Sequence, residues 1–305
     1  MPGATYSSGV RSLFVSPHTD DAALSCGGLI VTLRDEGTAV DIVTIFSGSG
    51  PLDRLTPYQR LALGFGSQTR WDTTAPTEPA EPVARAEPVA PADDPVPSPF
   101  EVMELRRRED RAYARLVGAS VRHLDLPDAV FRDYRGDEEL LADPKPGDRS
   151  PTEELRAAVC ELRPDRVFVP LAVGSHVDHR LARRAAIDLM VAGDMAPEIV
   201  RFYEDFPYAH NHAFDGPNAL DAEFARHLPA SLVLEPEVVD VAAAIDRKIA
   251  GLTCYASQLG RLFGGDDPMA RAVRERAAFL ATAAGTTAAE RYWWPVPRTR
   301  DPASS

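Results

Sequence analysis

An α/β fold, with a mostly parallel sheet flanked by helices, is what this sequence predicts. Three observations carry the prediction: an apolar run at Ser12–Ser16 that stops at Pro17, a helical stripe that follows it, and a second run of strand formers directly after the helix. Strand, helix and strand within about 35 residues make a βαβ unit, which favours parallel pairing.

The elements follow in order. Ser12–Ser16 (Ser-Leu-Phe-Val-Ser) reads as a buried first strand. From Ala22 to Gly37, residues Leu24, Leu29, Ile30 and Leu33 mark one helical face, and Gly37 can end the helix. Ala39–Phe46 reads as the second strand. Asp72–Pro99 has another character: its eight prolines, its alanines and its acidic residues cannot bury enough apolar area to offset chain entropy. It is expected to be a flexible insert within the domain, with a lid over the site as the alternative reading. Phe100–Val117 is a long charged helix closed by Gly118, and His123–Leu126 is expected as a short strand. Thr152–Leu162 is a helix with Pro151 at its start, Arg166–Pro170 a buried strand, Asp178–Ala192 a helix, and Ile199–Tyr203 a late strand. Val239–Leu259 holds one or two amphipathic helices and Ala270–Ala284 a further one. Residues 295–305 are expected to be a frayed polar tail.

At 305 residues the chain can build one sizeable core or at most two modest domains. Its formal net charge of -13 argues against a nucleic-acid backbone or an anionic membrane as the main partner. Cys26, Cys160 and Cys254 are far apart and odd in number, so no disulfide framework is implied and a reducing compartment fits. The first ten residues lack a basic start followed by an apolar run, and the apolar stretch Ala22–Leu33 is too short to span a bilayer. The expected location is the cytoplasm; a homo-oligomer stays open.

Two segments carry the chemistry. Ser16-Pro17-His18-Thr19-Asp20-Asp21 directly follows the first strand, and Gly174-Ser175-His176-Val177-Asp178-His179 follows the strand ending at Pro170. Both lie at carboxyl ends of predicted parallel strands, where open α/β sheets bind their ligands. Imidazole and carboxylate ligands suit a catalytic divalent metal, with one position left for water. His18 and Asp21 can reach one ion from a single turn, and His179 completes the set. Either segment alone is weak: Asp20 or Asp21 would serve equally as a helix cap. Together they point to a metal site.

The first segment resembles the His-Pro-Asp-Asp-Glu signature of the LmbE-like or PIG-L family of zinc-dependent N-deacetylases, and the second resembles that family's His-x-Asp-His signature. The family's Arg-x-x-Glu helix is matched by Arg106, Glu109 and Gly118, and its Leu-x-Leu-Pro-Asp segment by Leu124–Asp128. Tyr203–Tyr208, Lys248, Tyr255–Gln258 and Glu290–Trp293 resemble late elements of some members. The likeness spans most of the chain, apart from the proline-rich insert and the tail. Two positions depart from it: Thr19 stands for the usual Pro and Ala22 for the usual Glu, which is not a metal ligand in the family.

The resemblance implies a Rossmann-like sheet in a single domain and hydrolysis of an N-acetyl group, commonly on an amino sugar. It implies one zinc ion per chain on His18, Asp21 and His179, and iron(II) suits the same ligands. By position, Asp20 would be the general base, and His176 would stabilise the oxyanion or protonate the leaving amine. Asp178 would stand behind the ligands and orient a histidine. Arg106 and Asp128 match positions that contact substrate, here a small N-acetylated metabolite. Two alternatives stay open at this point: another metal-dependent amide, lactam or ester hydrolase on the same scaffold, and a metabolite-binding protein without catalysis. His210 and His212, after the Tyr203 strand, are open to an accessory substrate role. Tyr292, Trp293 and Trp294 read as packing, with sugar stacking as the alternative.

Overall fold

The structure, a computed structural model, describes residues 9–51, 54–63, 97–216, 224, 227–282 and 284–298. Its first unit is β1 (Arg11–Ser16), α1 (Asp21–Asp35) and β2 (Ala39–Thr44), with β1 and β2 parallel as the βαβ pattern predicts. A short helix, α2 (Pro57–Ala62), precedes a region outside the described residues. That region, 64–96, contains nearly all of the expected insert. The boundary differs at the other end: Pro99 already opens α3 (Pro99–Val117). Ser98 and Glu101 form a reciprocal capping box there, and Gly118 closes the helix at a left-handed φ of 73°.

β3 is Ser120–His123, not His123–Leu126. Its register with β2 runs from Asp41↔Ser120 to Thr44↔His123, and the positive φ of Asp125 (62°) breaks the extended run that the sequence pattern continues. The chain goes on through α4 (Asp137–Leu140), α5 (Thr152–Leu162), β4 (Arg166–Pro170), α6 (Val177–Ala192), β5 (Val200–Tyr203) and α7 (Tyr208–Asn211).

The late chain departs most from expectation. β6 (Leu232–Asp240) takes in Val239 and Asp240, and the helices follow it as α8 (Ile245–Leu252) and α9 (Ala256–Phe263), separated by a 3-10 turn. α10 is Asp266–Ala281, starting ahead of Ala270 because Pro268 is tolerated in a first turn. β7 (Ala289–Pro297) runs past Pro295, so the ordered chain extends into the expected tail. Prolines hid this antiparallel pair. Pro236 lies on the edge strand, and β5 pairs with β7 only at Tyr292 and Trp293, so Pro295 and Pro297 interrupt no bond on that side.

The sheet order is β3-β2-β1-β4-β5-β7-β6, parallel through β5 and antiparallel beyond. Helices cover it, and its two largest apolar clusters are built around Leu13, Val15 and Val169 and around Phe14, Ile30 and Ile42, as alternating strand residues require. The order reverses between β1 and β4, which places the two motif loops side by side. Among the described residues no helix is long and apolar enough to cross a membrane.

Helix α1 is gripped from behind. A Cβ on Gly28 would lie 2.8 Å from Val241 Cβ and 2.9 Å from Glu290 Oε1, so this glycine permits the approach. The Glu290 carboxylate accepts from the backbone N–H groups of Gly28 and Leu29, both at 2.9 Å, from Lys248 Nζ at 2.8 Å and from Tyr292 Oη at 2.8 Å. Lys248 and Glu290 are each 5% exposed.

Candidate active site

The loop after β1 delivers His18, and α1 begins at once with Asp21. Asp20 occupies the cap position but makes no side-chain cap hydrogen bond, so the capping alternative does not account for it. Ser16 Oγ accepts from the N–H of Ala22, the position where the family carries Glu. The loop after β4 is contorted: Ala172, Gly174 and Ser175 all have positive φ. Strain of this kind concentrates at functional loops. A side chain at Gly174 would collide with the Tyr208 ring, 2.8 Å from the Cβ position.

Three side chains from these loops converge. His18 Nδ1 and His179 Nε2 each lie 3.2 Å from Asp21 Oδ2. Behind each ring stands a carboxylate: Asp178 Oδ2 is 3.0 Å from His18 Nε2, and Asp205 Oδ1 is 2.6 Å from His179 Nδ1. Rear carboxylates of this kind orient metal-binding histidines. His18, Asp21 and His179 therefore offer a donor set fit for a divalent cation, with ligand atoms within 4.8 Å of one another. His18, His176 and Asp178 are equally close, but the Asp178 oxygens already accept from Ala129 N, Arg132 Nη2 and His18, which leaves that carboxylate a poor ligand.

The electrostatics favour positive charge at this point. Burial opposes a charged ring at His179, yet Asp21 and Asp205 outweigh it and push its pKa up to about 10. At His18 burial is likewise outweighed, by Asp128, Asp178 and Asp21. Asp20 goes the other way: burial, then the charge of Asp21, push it up to about 6. Burial, then the charge of His18, lower His176 to about 3, so its ring is neutral at physiological pH. Its Nδ1 accepts from the N–H of Asp178 at 3.2 Å, which puts the proton of the neutral ring on Nε2.

His18, Asp20, Asp21 and His176 line a cleft of about 250 Å³ with Arg106, Asp128, Tyr208, Ser257 and Arg261. Arg106 Nη1 lies 3.8 Å from Asp128 Oδ2, and among the described residues its buried Nε has no hydrogen-bond partner. Asp128 Oδ1 accepts from Val130 N at 2.9 Å, which leaves Oδ2 facing Arg106 and His18.

This architecture is shared. The PIG-L family, described as GlcNAc-PI de-N-acetylase, matches residues 13–190, which hold both motifs. The chain belongs to the PIG-L family. It is a deacetylase, a hydrolase acting on an amide bond. It is 33% identical over 255 residues to a 2'-N-acetylparomamine deacetylase of Streptomyces fradiae, covering 81% of this chain and 73% of that one. A protein of the same name from Niallia circulans is 29% identical over 211 residues, 66% of this chain and 68% of the relative. The zinc-inhibited form of a teicoplanin deacetylase superposes with a TM-score of 0.66 at 23% identity, over 96% of this chain and 100% of the other, and shares the fold.

Of the PIG-L-like positions, His18, Asp20, Asp21, Arg106, Asp128 and His176 line this cleft, Asp178 and His179 touch His18 and Asp21, and Lys248 and Glu290 sit apart from it behind α1. Arg132 lies in neither motif, and Asp205 has no role in the sequence reading beyond its place in the Tyr203–Tyr208 likeness. Asp205 carried a signal, since it follows β5 at the same sheet edge as both motifs. The accessory histidines do not join the site: His210 faces Glu275 at 3.6 Å, and neither it nor His212 lines the cleft. Tyr292 and Trp293 are packed inside, 1% and 5% exposed, as the packing reading has it, whereas Trp294 is 36% exposed and lies under the Arg201 guanidinium.

Glu109, the last residue of the PIG-L-like Arg-x-x-Glu pattern, holds the start of α9 by accepting from Ser257 N at 2.8 Å and Ser257 Oγ at 2.7 Å. Burial pushes it up to about 7. A carboxyl whose folded pKa lies above its unfolded value of 4.5 contributes most below that value. The contribution is lost as pH rises from about 4.5 to about 7. Wild type is therefore expected to lose melting temperature relative to Glu109→Gln between pH 5 and pH 8. A constant difference across that range would refute the burial argument.

Proposed function

We propose that this chain removes the N-acetyl group from an amino sugar within a small glycosylated metabolite, and that it does so with one divalent metal, zinc or iron(II), held by His18, Asp21 and His179. The convergence of those three side chains, of which His18 and Asp21 line the cleft together with Asp20 and His176, carries the reading. The relatives named for 2'-N-acetylparomamine support an aminoglycoside-type substrate.

A metal at these ligands would lower the pKa of a coordinated water and polarise the acetyl carbonyl. The rest falls to the chain. Asp20, raised to about 6, is poised to take a proton from the attacking water at neutral pH. His176 is neutral with its proton on Nε2, and so acts as a hydrogen-bond donor to the developing oxyanion. Of the two roles implied for His176, this favours the oxyanion. The proton held by Asp20 is then available for the departing amine. Arg106, with its open buried Nε, and Asp128 supply polar contacts for sugar hydroxyls.

The test is acetate release from 2'-N-acetylparomamine and N-acetylglucosamine by zinc-loaded protein, beside a His18→Ala, His179→Ala double variant. Release by wild type, lost together with bound metal in the variant, is the expected result. No release from either compound by wild type carrying one zinc per chain would sink the substrate reading, and failure to bind metal at all would sink the mechanism.

A further inference from the structure

Behind the metal-ligand set lies a second tier that the chemistry above does not use. Asp178 is fully buried, and its Oδ2 faces His18 Nε2 at 3.0 Å while also accepting from Ala129 N at 2.8 Å. Its other oxygen, Oδ1, receives Arg132 Nη2 at 2.6 Å. The χ2 torsion of an aspartate is soft, so without a donor on Oδ1 only the Ala129 N–H would hold the plane of the carboxylate against turning away from the histidine. Arg132 is itself held. Its guanidinium lies over the Phe46 ring at 5.1 Å and the Tyr134 ring at 5.5 Å, Nη2 is 3.5 Å from Asp148 Oδ2, and Nη1 donates to Pro127 O at 3.4 Å. Stacking on aromatic faces and a planar fork of donors are properties of arginine that lysine lacks.

We propose that Arg132 is a positioning residue for the metal centre: it locks the Asp178 carboxylate, and that carboxylate aims the His18 ring so that Nδ1 faces Asp21. The proposal rests on the metal reading above. Arg132 also belongs to the segment that carries Asp128, four residues after it, so one segment bears both a cleft carboxylate and the brace for the first ligand. Three loops are thereby tied together: the His18 loop, the Asp128–Arg132 turn and the start of α6.

The experiment is a double-mutant cycle on zinc affinity, read by competition with a chromophoric chelator, in the full chain. The proteins are wild type, Arg132→Met, Asp178→Asn and the double variant, each checked for an unchanged fold by thermal melting. Arg132→Met is expected to weaken zinc binding about 10- to 100-fold, the usual cost of removing an outer partner of a metal ligand. If Arg132 acts through Asp178, the double variant binds no more weakly than Asp178→Asn alone. A merely structural arginine gives a different pattern, in which the two losses multiply, and that result overturns the proposal. So does wild-type affinity in Arg132→Met. Should Arg132→Met not fold, Arg132→Gln takes its place with the same expected loss and the same overturning results. A wild-type chain without zinc affinity overturns the metal reading itself, which is distinguishable from intact zinc binding that ignores Arg132.

Discussion

Asp20→Asn is expected to keep its metal and lose turnover by about 10²- to 10⁴-fold, the range for removal of a general base. The substitution is nearly isosteric. Asp20 is 5% exposed, lines the cleft and makes no side-chain cap hydrogen bond, so little of the α1 terminus depends on its charge. What changes is the capacity to accept a proton. The adjacent Asp21 is held in the opposite state: despite burial, His179 and His18 keep it well below the ordinary carboxylate range. Two neighbouring carboxylates with opposed shifts are the pattern expected of a base beside a ligand. The measurement is kcat for acetate release together with zinc content for wild type and Asp20→Asn. Equal zinc with kcat within tenfold of wild type would remove Asp20 from the mechanism. Lost zinc would show that Asp20 serves the ligand set instead.

The candidate site was legible in the sequence because its parts are local. His18 to Asp21 and His176 to His179 each fit within one turn, and both follow apolar runs that end at prolines. The alternation of strand and helix then places both at one sheet edge. Asp205 and Arg132 were not legible in this way. Neither belongs to the two metal motifs, and each acts through a partner more than 20 residues distant, His179 for the first and Asp178 for the second. The strands were readable through β5 for the same reason of periodicity, with the shift at β3 caused by the backbone of Asp125, while the short helices α2 and α4 are too brief to show a period. Beyond it, β6 and β7 pair across roughly 50 residues and carry Pro236, Pro295 and Pro297. Proline argues against a strand in any local reading, and only the position at the sheet edge makes it tolerable.

The same distant pairing sets up the second large effect. Lys248→Met is expected to cost about 3–5 kcal/mol of stability, because it strands Glu290 as a buried charge without its counter-ion. Both partners are buried, and their pairing is a long-range one between α8 and β7. The carboxylate keeps the N–H groups of Gly28 and Leu29 and the hydroxyl of Tyr292, yet these dipoles do not replace a full positive charge. Removing the charge from both sides, in Lys248→Met with Glu290→Gln, is expected to cost less than the sum of the two single variants. Urea midpoints at constant m-value measure this, and strict additivity would show that the pair is not coupled. Since Glu290 grips the middle of the helix whose first turn presents Asp21, the variant also probes the site. Zinc at about 100-fold over its Kd adds about 2.7 kcal/mol to any fold whose site is intact. The same increment in Lys248→Met and wild type would mean that α1 keeps its place when the grip weakens. A smaller one would mean that the antiparallel edge of the sheet holds the proposed metal ligands in register from behind.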